Sequence, residues 1–426
     1  MSLRRIAPLL VLVFAVQVGL PRNASAQSAT DIVIEWNRIL QATIAIPGAL
    51  PPTIFFTRPL AILHVAMFDA LNSIDYVYRP YAVRATVVGS PSREVAAARA
   101  ARDVMVAMFP AQAATFDAAL AATVARFPGD PGTQGANIGA AAAQAILALR
   151  ANDGWVRDAQ VPFILPDLPG YWQPVPPQNA TATLVHYQDV LPFVLGSRMQ
   201  FMVEAPPALT SQRYADDFNE VKRLGSVTST ERTAQQTQTA QLWAGVGYSP
   251  NGPLVWFNVG GDLARTRGLN GVDTARNLAL LAITMHDALL TSFSGKFIYG
   301  LWRPTTAIRN ADRDDNPATV ADPTFVSLIP TPPYPSYPGN MACVGASSSA
   351  LFARIWGRDD VPFSVRWTGI AQPDVTRSYN GFRQAADEEA RSRIYAGIHY
   401  TFDHTASFGA CTDVANYTFS NYLIPK

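Results

Sequence analysis

Apolar residues recur at helical spacing in several long segments of this chain, and this periodicity is the feature that most constrains its fold. They occupy Ile32, Trp36 and Leu40 in one segment and much of residues 60–68 in another. A repeat of three to four residues places apolar side chains on one face of an α-helix. No strand-length run alternates with comparable quality. The pattern predicts an all-α protein made of packed helices.

Two local patterns mark expected helix starts. Thr228 followed by Glu231 resembles a capping box, in which two side chains satisfy N–H groups at the start of a helix. Asp273 precedes a long apolar segment that reaches about Phe293, and aspartate is a suitable N-cap residue. We therefore expect one helix to begin at each of these places.

Two segments rich in proline and aromatic residues interrupt the helical pattern, Val161 to Pro177 and Pro330 to Pro338. Proline lacks the N–H group that a helix interior needs, so both segments are predicted to be loops. They are too aromatic for flexible linkers, and we expect them to be ordered and to lie over the helical bundle. For the first loop, a role at a pocket mouth and a purely structural role are both open.

The N-terminus has the features of a bacterial-type secretion signal. Arg4 and Arg5 precede an apolar run from Ile6 to Leu20, and Ala24-Ser25-Ala26 forms a small-residue cleavage site. Residues 1–26 are therefore predicted to be a signal peptide, and the mature protein is expected to be secreted or periplasmic. No later stretch looks long and apolar enough to cross a bilayer, so no stable membrane span is expected after cleavage.

Charge and cysteine content limit the partners and the redox chemistry of the chain. It carries 33 basic and 32 acidic side chains, and loss of the three arginines of the signal leaves 30 basic ones and a net charge of −2. This balance gives no sign of a nucleic-acid partner. Cys343 and Cys411 could pair in an oxidising compartment, and two buried thiols are the alternative.

Lys296 and Arg303 form the first candidate binding pair. The chain has only three lysines, and Lys296 stands in an apolar and aromatic segment that ends at Arg303. Seven residues of α-helix rotate by about 700°, which would return both cations to nearly one face. Two such cations favour an anion. Two exposed side chains paired with surface carboxylates are the structural alternative.

Arg393 and His399 form a second candidate pair. Arginine presents a planar fork of donors that suits a tetrahedral oxyanion, and a neutral histidine nitrogen can attack or coordinate its central atom. In a straight helix the two residues would lie about 120° apart. They would then flank an anion, or Gly397 would mark a local adjustment of the helix.

Together these segments resemble the superfamily that joins vanadium-dependent haloperoxidases, type 2 phosphatidic acid phosphatases and bacterial acid phosphatases. Its Lys-x6-Arg-Pro and Ser-Arg-x5-His motifs are matched by Lys296, Arg303 and Pro304 and by Ser392, Arg393 and His399. The middle motif, Pro-Ser-Gly-His, keeps its usual preceding sequence at 334–338 but continues as Gly339-Asn340-Met341. Residues 58–70 and 169–172 also look like bacterial haloperoxidase segments, so the resemblance covers most of the mature chain.

The resemblance implies packed helical bundles of the vanadium haloperoxidase and acid phosphatase type. We expect an N-terminal helical region at 27–270 and a C-terminal helical bundle at 271–426 that contains the oxyanion site. Lys296, Arg303 and Arg393 would hold the oxygens of vanadate or phosphate. His399 would bond the vanadium or attack the phosphorus.

The middle motif is the part in which this chain departs from the family pattern. The family's serine and glycine fall on Gly339 and Asn340, where the backbone amide of one and the side-chain amide of the other could still donate to the anion. The family's acid–base histidine falls on Met341, which cannot move a proton. Anion binding is therefore expected to persist, whereas catalysis is expected to be impaired.

The remaining histidines have structural interpretations. His404 is expected on a different helical face from His399, as a surface or packing residue. His64 is expected to be a satisfied core histidine. His286 and Asp287 precede Lys296 on the same predicted helix, where helix packing is favoured over a supporting role for Asp287 in the site.

The resemblance implies an exported haloperoxidase-like protein that binds vanadate, with phosphate able to occupy the same site. Peroxide-dependent oxidation of a halide is the expected ancestral or residual activity. Two alternatives are open: a phosphohydrolase with His399 as nucleophile, and a non-catalytic oxyanion-binding protein because of Met341. The expected partner is a small-molecule substrate or an inorganic oxyanion.

Overall fold

α-Helices dominate the computed structural model, which describes residues 28–50, 54–130, 133–155 and 162–426. The helices are α1 (Ala29–Ile44), α2 (Thr57–Asp75), α3 (Arg93–Met108), α4 (Ala113–Arg126), α5 (Gln134–Leu149), α6 (Gln212–Gly225), α7 (Ala234–Ala244), α8 (Gly252–Thr266), α9 (Gly271–Tyr299), α10 (Pro304–Arg309), α11 (Asn340–Trp356), α12 (Phe382–Tyr395) and α13 (Thr401–Asn421). The prediction of an all-α fold is confirmed. The predicted signal peptide lies outside the described residues.

A small antiparallel sheet was not predicted. Its strands are β1 (Tyr248–Ser249), β2 (Phe363–Gly369) and β3 (Val375–Tyr379), in the order β1-β2-β3. In β2 the buried side chains Val365 and Trp367 alternate with exposed ones. With only two fully buried positions, this alternation is too short to stand out from the sequence.

Helix α9 is the central element of the fold, and it packs against α1, α2, α8, α11 and α13. The Asn270 side chain accepts a hydrogen bond from the Asp273 N–H at 2.9 Å, so Asn270 is the N-cap residue and the expectation for Asp273 is wrong. The helix ends at Gly300, where φ is 58°, a conformation that glycine adopts without steric cost. It therefore extends beyond Phe293 and includes Lys296.

The capping box expected at Thr228 and Glu231 does not form. Helix α7 begins further on, where the Thr233 hydroxyl accepts from the Gln236 N–H at 3.2 Å and the Gln236 side chain accepts from the Thr233 N–H at 2.9 Å. Glu231 instead pairs with Arg223 of α6. The same residue pattern thus occurs twice, and the tertiary packing selects the second copy.

Two helices have the length and composition of a membrane span, which corrects the expectation that no such stretch exists. They are Ile54–Asp75 and Gly271–Tyr299, and their apolar windows are 94% and 100% buried inside the protein. Helices α2 and α9 pack against each other. A helix that is covered on all sides is apolar on all sides, because it has no solvent face to keep polar.

The first proline-rich segment is a loop over its described residues, 162–177. It pairs with the chain that leaves α9: the Trp172 N–H donates to the Gly300 carbonyl at 2.7 Å, and the Trp302 N–H donates to the Gly170 carbonyl at 2.9 Å. The loop therefore has a structural role, since it holds the segment between Lys296 and Arg303.

Cys343 of α11 and Cys411 of α13 form a disulfide, with their Cα atoms 5.4 Å apart. Of the two alternatives, the pair of free thiols is therefore wrong. The bond links residues that are 68 positions apart in the chain, and it restricts the unfolded ensemble accordingly.

The division into regions 27–270 and 271–426 stays a prediction. Helix α9 begins at Gly271. It packs against α2 of the first region and against α11 of the second, and one apolar cluster contains residues of both. The two regions therefore share a core.

Candidate oxyanion site

Lys296 and Arg303 lie on two different helices rather than on one. Lys296 is in the last turn of α9, and Arg303 is the N-cap residue of α10. The expected single-helix geometry is wrong because Gly300 ends α9 before Pro304 begins the next helix. Both side chains are nevertheless fully buried, and both contact the proline-rich loop 330–338 described next.

Lys296 is held by backbone carbonyls of that loop. Its Nζ atom donates to the carbonyl oxygens of Pro335, Ser336 and Pro338 at 3.1, 2.7 and 2.6 Å. Burial, and then the charge of Arg303, hold the pKa of Lys296 well below its usual range, while Asp403 opposes the shift. An oxyanion beside the ammonium group would favour its charged form.

Arg303 reaches from α10 to both the loop and the C-terminal segment. Its Nε atom donates to the Tyr334 carbonyl at 2.7 Å, and its Nη1 atom donates to the Ile398 carbonyl at 2.8 Å and to His399 Nε2 at 3.1 Å. Its Nη2 atom has no partner among the described residues. Burial lowers its pKa to about 10, so the guanidinium is charged at neutral pH.

Arg393 brings two more free donors. It lies in the last turn of α12 and is 8% exposed, and its Nε and Nη1 atoms make no hydrogen bond within the described part of the chain. Helix α12 ends at Tyr395, and Gly397 adopts a φ of 80°. Arg393 and His399 therefore do not lie on one straight helix. The chain instead departs from the helix at Gly397, which is the second of the two predicted geometries.

Asp403 orients His399, and Asp403 was not among the residues predicted from the sequence. Asp403 Oδ2 is 2.7 Å from His399 Nδ1, and it accepts hydrogen bonds from Ser336 Oγ at 2.6 Å and from the Tyr400 N–H at 3.2 Å. Burial raises the pKa of Asp403 to about 6, so the group is a carboxylate at neutral pH. Its position four residues after His399, in the first turn of the next helix, could have indicated that Asp403 contacts the histidine.

The protonation of His399 follows from these contacts. Burial, and then Arg303 and Lys296, hold its pKa well below the usual range, so the ring is neutral. A carboxylate can only accept, which assigns the ring proton to Nδ1. Nε2 therefore carries the lone pair that accepts the hydrogen bond from Arg303 Nη1. It could bond an electrophilic centre if that hydrogen bond were exchanged for the new bond.

The middle segment forms the start of α11, with Gly339 as its N-cap residue. The Gly339 N–H donates to the Asp403 carbonyl at 3.1 Å, so the expectation that this amide donates to an anion is wrong. Asn340 is buried at the first helical position, where a helix has free N–H groups that suit anions. Its side-chain amide stays a predicted donor. Met341 is half-buried.

His404 is a buried residue next to the site. Its ring centroid is 6.0 Å from that of His399, and its Cδ2 atom lies 3.1 Å from the place a Cβ on Gly339 would take. His399 and His404 do not lie on two faces of one helix, because α13 begins only at Thr401 and His399 precedes it. The surface interpretation is wrong, and the packing interpretation is confirmed.

The other polar candidates lie elsewhere in the core. His64 is fully buried in α2, with Nε2 3.1 Å from Asn37 Oδ1, so its place in the core is confirmed. Its Nδ1 atom has no partner among the described residues, so the expectation that the ring is satisfied is wrong. Asp287 accepts hydrogen bonds from the N–H groups of residues 193–195 at 2.7–2.9 Å. It ties that loop to α9 and takes no part in the contacts of His399.

The fold and the site together define a class: a helical-bundle protein with a buried cationic pocket around one neutral histidine. Lys296, Arg303 and Arg393 converge there, and three guanidinium nitrogens lack acceptors among the described residues. Arginine forks and helix N–H groups of this kind recognise oxyanions.

Comparison with known proteins shows similarity to vanadium haloperoxidases in part of the sequence. Residues 276–423 match the family described as the VCPO second helical-bundle domain. The vanadium chloroperoxidase of Curvularia inaequalis is 24% identical over 305 aligned residues, which cover 55% of this chain and 49% of that protein. The match thus spans about half the length of this curated relative.

Solved structures share the fold over almost the whole chain. The first bacterial vanadium-dependent iodoperoxidase is 23% identical with a TM-score of 0.75, over 93% of this chain and 97% of that one. A holo-type bacterial vanadium-dependent chloroperoxidase is 14% identical with a TM-score of 0.63, over 88% and 96% of the two chains. The chain therefore has the fold of vanadium haloperoxidases, and its residues 276–423 are similar to their second helical-bundle domain.

Proposed function

We propose that this protein binds vanadate or phosphate between Lys296, Arg303, Arg393 and His399, and that it acts as a haloperoxidase. The observation that carries the proposal is a set of buried guanidinium nitrogens, Nη2 of Arg303 and Nε and Nη1 of Arg393, for which the described residues supply no acceptor. Buried donors left unpaired cost free energy. An oxyanion would satisfy all three and neutralise the charge.

The residues present fit a vanadate ion. The two arginines would hold its oxygens, Lys296 would add positive charge, and His399 would bond vanadium through Nε2. Bound vanadate supplies a Lewis acid that activates peroxide. The chain itself supplies orientation and charge: Asp403 keeps the His399 proton on Nδ1, and the buried walls exclude water.

The proposed reaction consumes a proton, and the site lacks the histidine that would supply it. Hydrogen peroxide takes two electrons from a halide ion and combines with one proton, and the products are hypohalous acid and water. The site therefore needs a proton donor, and general acids typically contribute about a hundredfold or more to rate. Met341 cannot fill this role, which supports a reduced activity.

A phosphohydrolase is the second candidate, because the His399–Asp403 pair leaves a nucleophilic nitrogen beside the cations. Attack of Nε2 on phosphorus would release an alkoxide that needs a proton. The missing histidine therefore weakens this candidate more than the first. A non-catalytic oxyanion-binding protein is the third.

The test is calorimetric titration with orthovanadate and with phosphate. We expect the two anions to compete for one site, and we expect the triple variant Lys296→Ala, Arg303→Ala, Arg393→Ala to lose binding. A control of equal charge change is Arg358→Ala, Arg366→Ala, Arg383→Ala, whose side chains are 61%, 72% and 57% exposed. Binding that survives the first triple variant would overturn the proposal.

Activity then separates the three candidates. The vanadate-loaded protein is assayed with peroxide and bromide or iodide, and the phosphate-free protein with an aryl phosphate. Halide oxidation that disappears in His399→Ala supports the haloperoxidase. Phosphate release that disappears in the same variant supports the phosphohydrolase. If the protein shows neither activity, the non-catalytic oxyanion-binding protein is supported.

We also propose that the protein is exported, on the basis of the predicted signal at 1–26 and of the disulfide. Disulfides persist mainly in oxidising compartments. A small molecule or an inorganic oxyanion is then the proposed partner, since the site is enclosed by buried side chains.

A further inference from the structure

Glu389 is a buried carboxyl group one helical turn before Arg393 on α12. Its side chain is fully buried. Oε2 accepts a hydrogen bond from Trp256 Nε1 at 2.8 Å, whereas Oε1 has no partner in the described residues. Buried polar atoms are nearly always hydrogen-bonded, so an orphaned carboxyl oxygen calls for an explanation.

The orphaned oxygen borders Met341. A Cβ placed on Gly252 would meet Met341 Cε at 2.5 Å and Glu389 Oε1 at 2.8 Å, so both atoms face the same small space. The family resemblance implies an acid–base histidine at position 341. A carboxyl group therefore lies beside the residue that cannot move a proton.

The protonation state of Glu389 suits a donor. Burial raises its pKa to about 8, while the hydrogen bond from Trp256 and the charge of Arg393 act in the opposite direction. The acid form therefore dominates at neutral pH. Among the described residues, Arg393 is the charged group that acts on it, and the α8 and α11 residues in contact are uncharged. A bound anion would favour the acid form further.

His404 is another titratable side chain beside the site, and the proposed roles of Asp403 and His399 do not involve it. Burial, followed by Arg391 and Arg393, lowers its pKa to about 3. It takes up no second proton at neutral pH, so it is the weaker candidate for a donor.

We propose that Glu389 exchanges a proton with the bound oxyanion in place of the histidine that the family has at position 341. In this step the O–H bond of the Glu389 carboxyl breaks and an O–H bond forms on an oxygen of the anion. When the site next opens to solvent, the carboxylate that remains takes a proton from hydronium, which becomes water. The inference rests on the proposed function, since it requires an oxyanion in the site.

The first test is infrared difference spectroscopy of phosphate-bound minus phosphate-free protein. We expect the carbonyl band of a protonated carboxyl group to shift when phosphate binds. The shifted band should be absent in Glu389→Gln and present in Glu388→Gln, the matched control, whose carboxylate contacts Trp243, Arg377 and Tyr379 instead. If calorimetry shows that the protein binds phosphate but the band does not shift, the inference is overturned and the proposed function is not.

The second test counts protons by calorimetry in buffers of different ionisation enthalpy. At a pH slightly above 8 we expect the wild type to take up more protons on phosphate binding than Glu389→Gln does, because anion binding raises the pKa of the carboxyl. Equal uptake would overturn the inference. Absence of phosphate binding in the wild type would instead overturn the proposed function.

Trp256→Phe keeps the test decisive if Glu389→Gln does not fold. It leaves the carboxyl in place and removes the hydrogen bond to Oε2, so the carbonyl band should shift in phosphate-free protein and still respond to phosphate. A band that is unchanged in Trp256→Phe does not come from Glu389 and would contradict the assignment.

Discussion

Two clusters of buried or nearly buried cations in the described part of the chain are completed in different ways. In the first, Asp153 Oδ2 accepts from Arg58 Nε at 2.6 Å and from Arg150 Nε at 3.0 Å. Arg150 also donates to the carbonyls of Pro192 and Leu191. In the second, Arg303 and Arg393 keep three nitrogens that no described residue satisfies.

The difference between the clusters distinguishes arginines that are paired within the chain from arginines that we propose to bind an oxyanion. The first cluster contains its own carboxylate, which pairs with both arginines, and backbone carbonyls accept further hydrogen bonds from them. In the second, the carboxylate Asp403 is bonded to His399 and Ser336 rather than to the arginines. A buried cation without its counter-ion is retained where a ligand supplies the negative charge.

The largest expected effect is the loss of the carboxylate in the first cluster. Asp153→Ala leaves two buried or nearly buried guanidinium groups unpaired, and it should lower the free energy of unfolding by about 3–5 kcal/mol. Urea denaturation measures this change. Asp262→Ala is the control, since its carboxylate is 61% exposed in a 4.0 Å pair with Arg38, and it should cost less than about 1 kcal/mol. A small effect of Asp153→Ala would remove the contrast between the clusters.

In the second cluster, removal of a charged side chain is expected to weaken phosphate binding without lowering the free energy of unfolding. Arg393→Met removes an uncompensated buried charge, so the free energy of unfolding without anion should be unchanged or higher. Phosphate affinity should fall by about tenfold or more, because a charge-assisted contact of roughly 1.5–3 kcal/mol is lost. Denaturation at increasing phosphate concentration measures both quantities, since a ligand at a hundred times its Kd stabilises by about 2.7 kcal/mol. Destabilisation comparable to that of Asp153→Ala would show that Arg393 is structural.

The smallest effect is expected for Met341→His. If Glu389 already supplies a proton, the added imidazole should raise halide oxidation less than tenfold in the wild-type background. In Glu389→Gln the same change should restore activity by about a hundredfold, the usual contribution of a general acid. Initial rates at fixed peroxide and halide provide the comparison. A hundredfold gain in the wild-type background would contradict the role assigned to Glu389.

Helix content and the two complete motifs could be predicted from the sequence, because both are local patterns. The helical repeat is set by backbone geometry, so α2 and α9 could be expected from apolar spacing alone. Lys296, Arg303, Arg393 and His399 were identified through motif spacing. Local patterns were less reliable for helix ends, as Asn270 and Thr233 show, because several nearby residues can cap a helix and packing selects among them.

The sequence by itself determined the chemical groups of the site, whereas the tertiary structure alone decided how they are paired. Gly300 and Gly397 break the helices on which the sequence argument placed each pair, and the cations still converge. The hydrogen bond of Ser336 to Asp403, and the space beside Gly252 that Glu389 and Met341 both border, bring together residues dozens of positions apart. Such contacts depend on how α11, α12 and α13 pack, and helical periodicity carries no information about that packing.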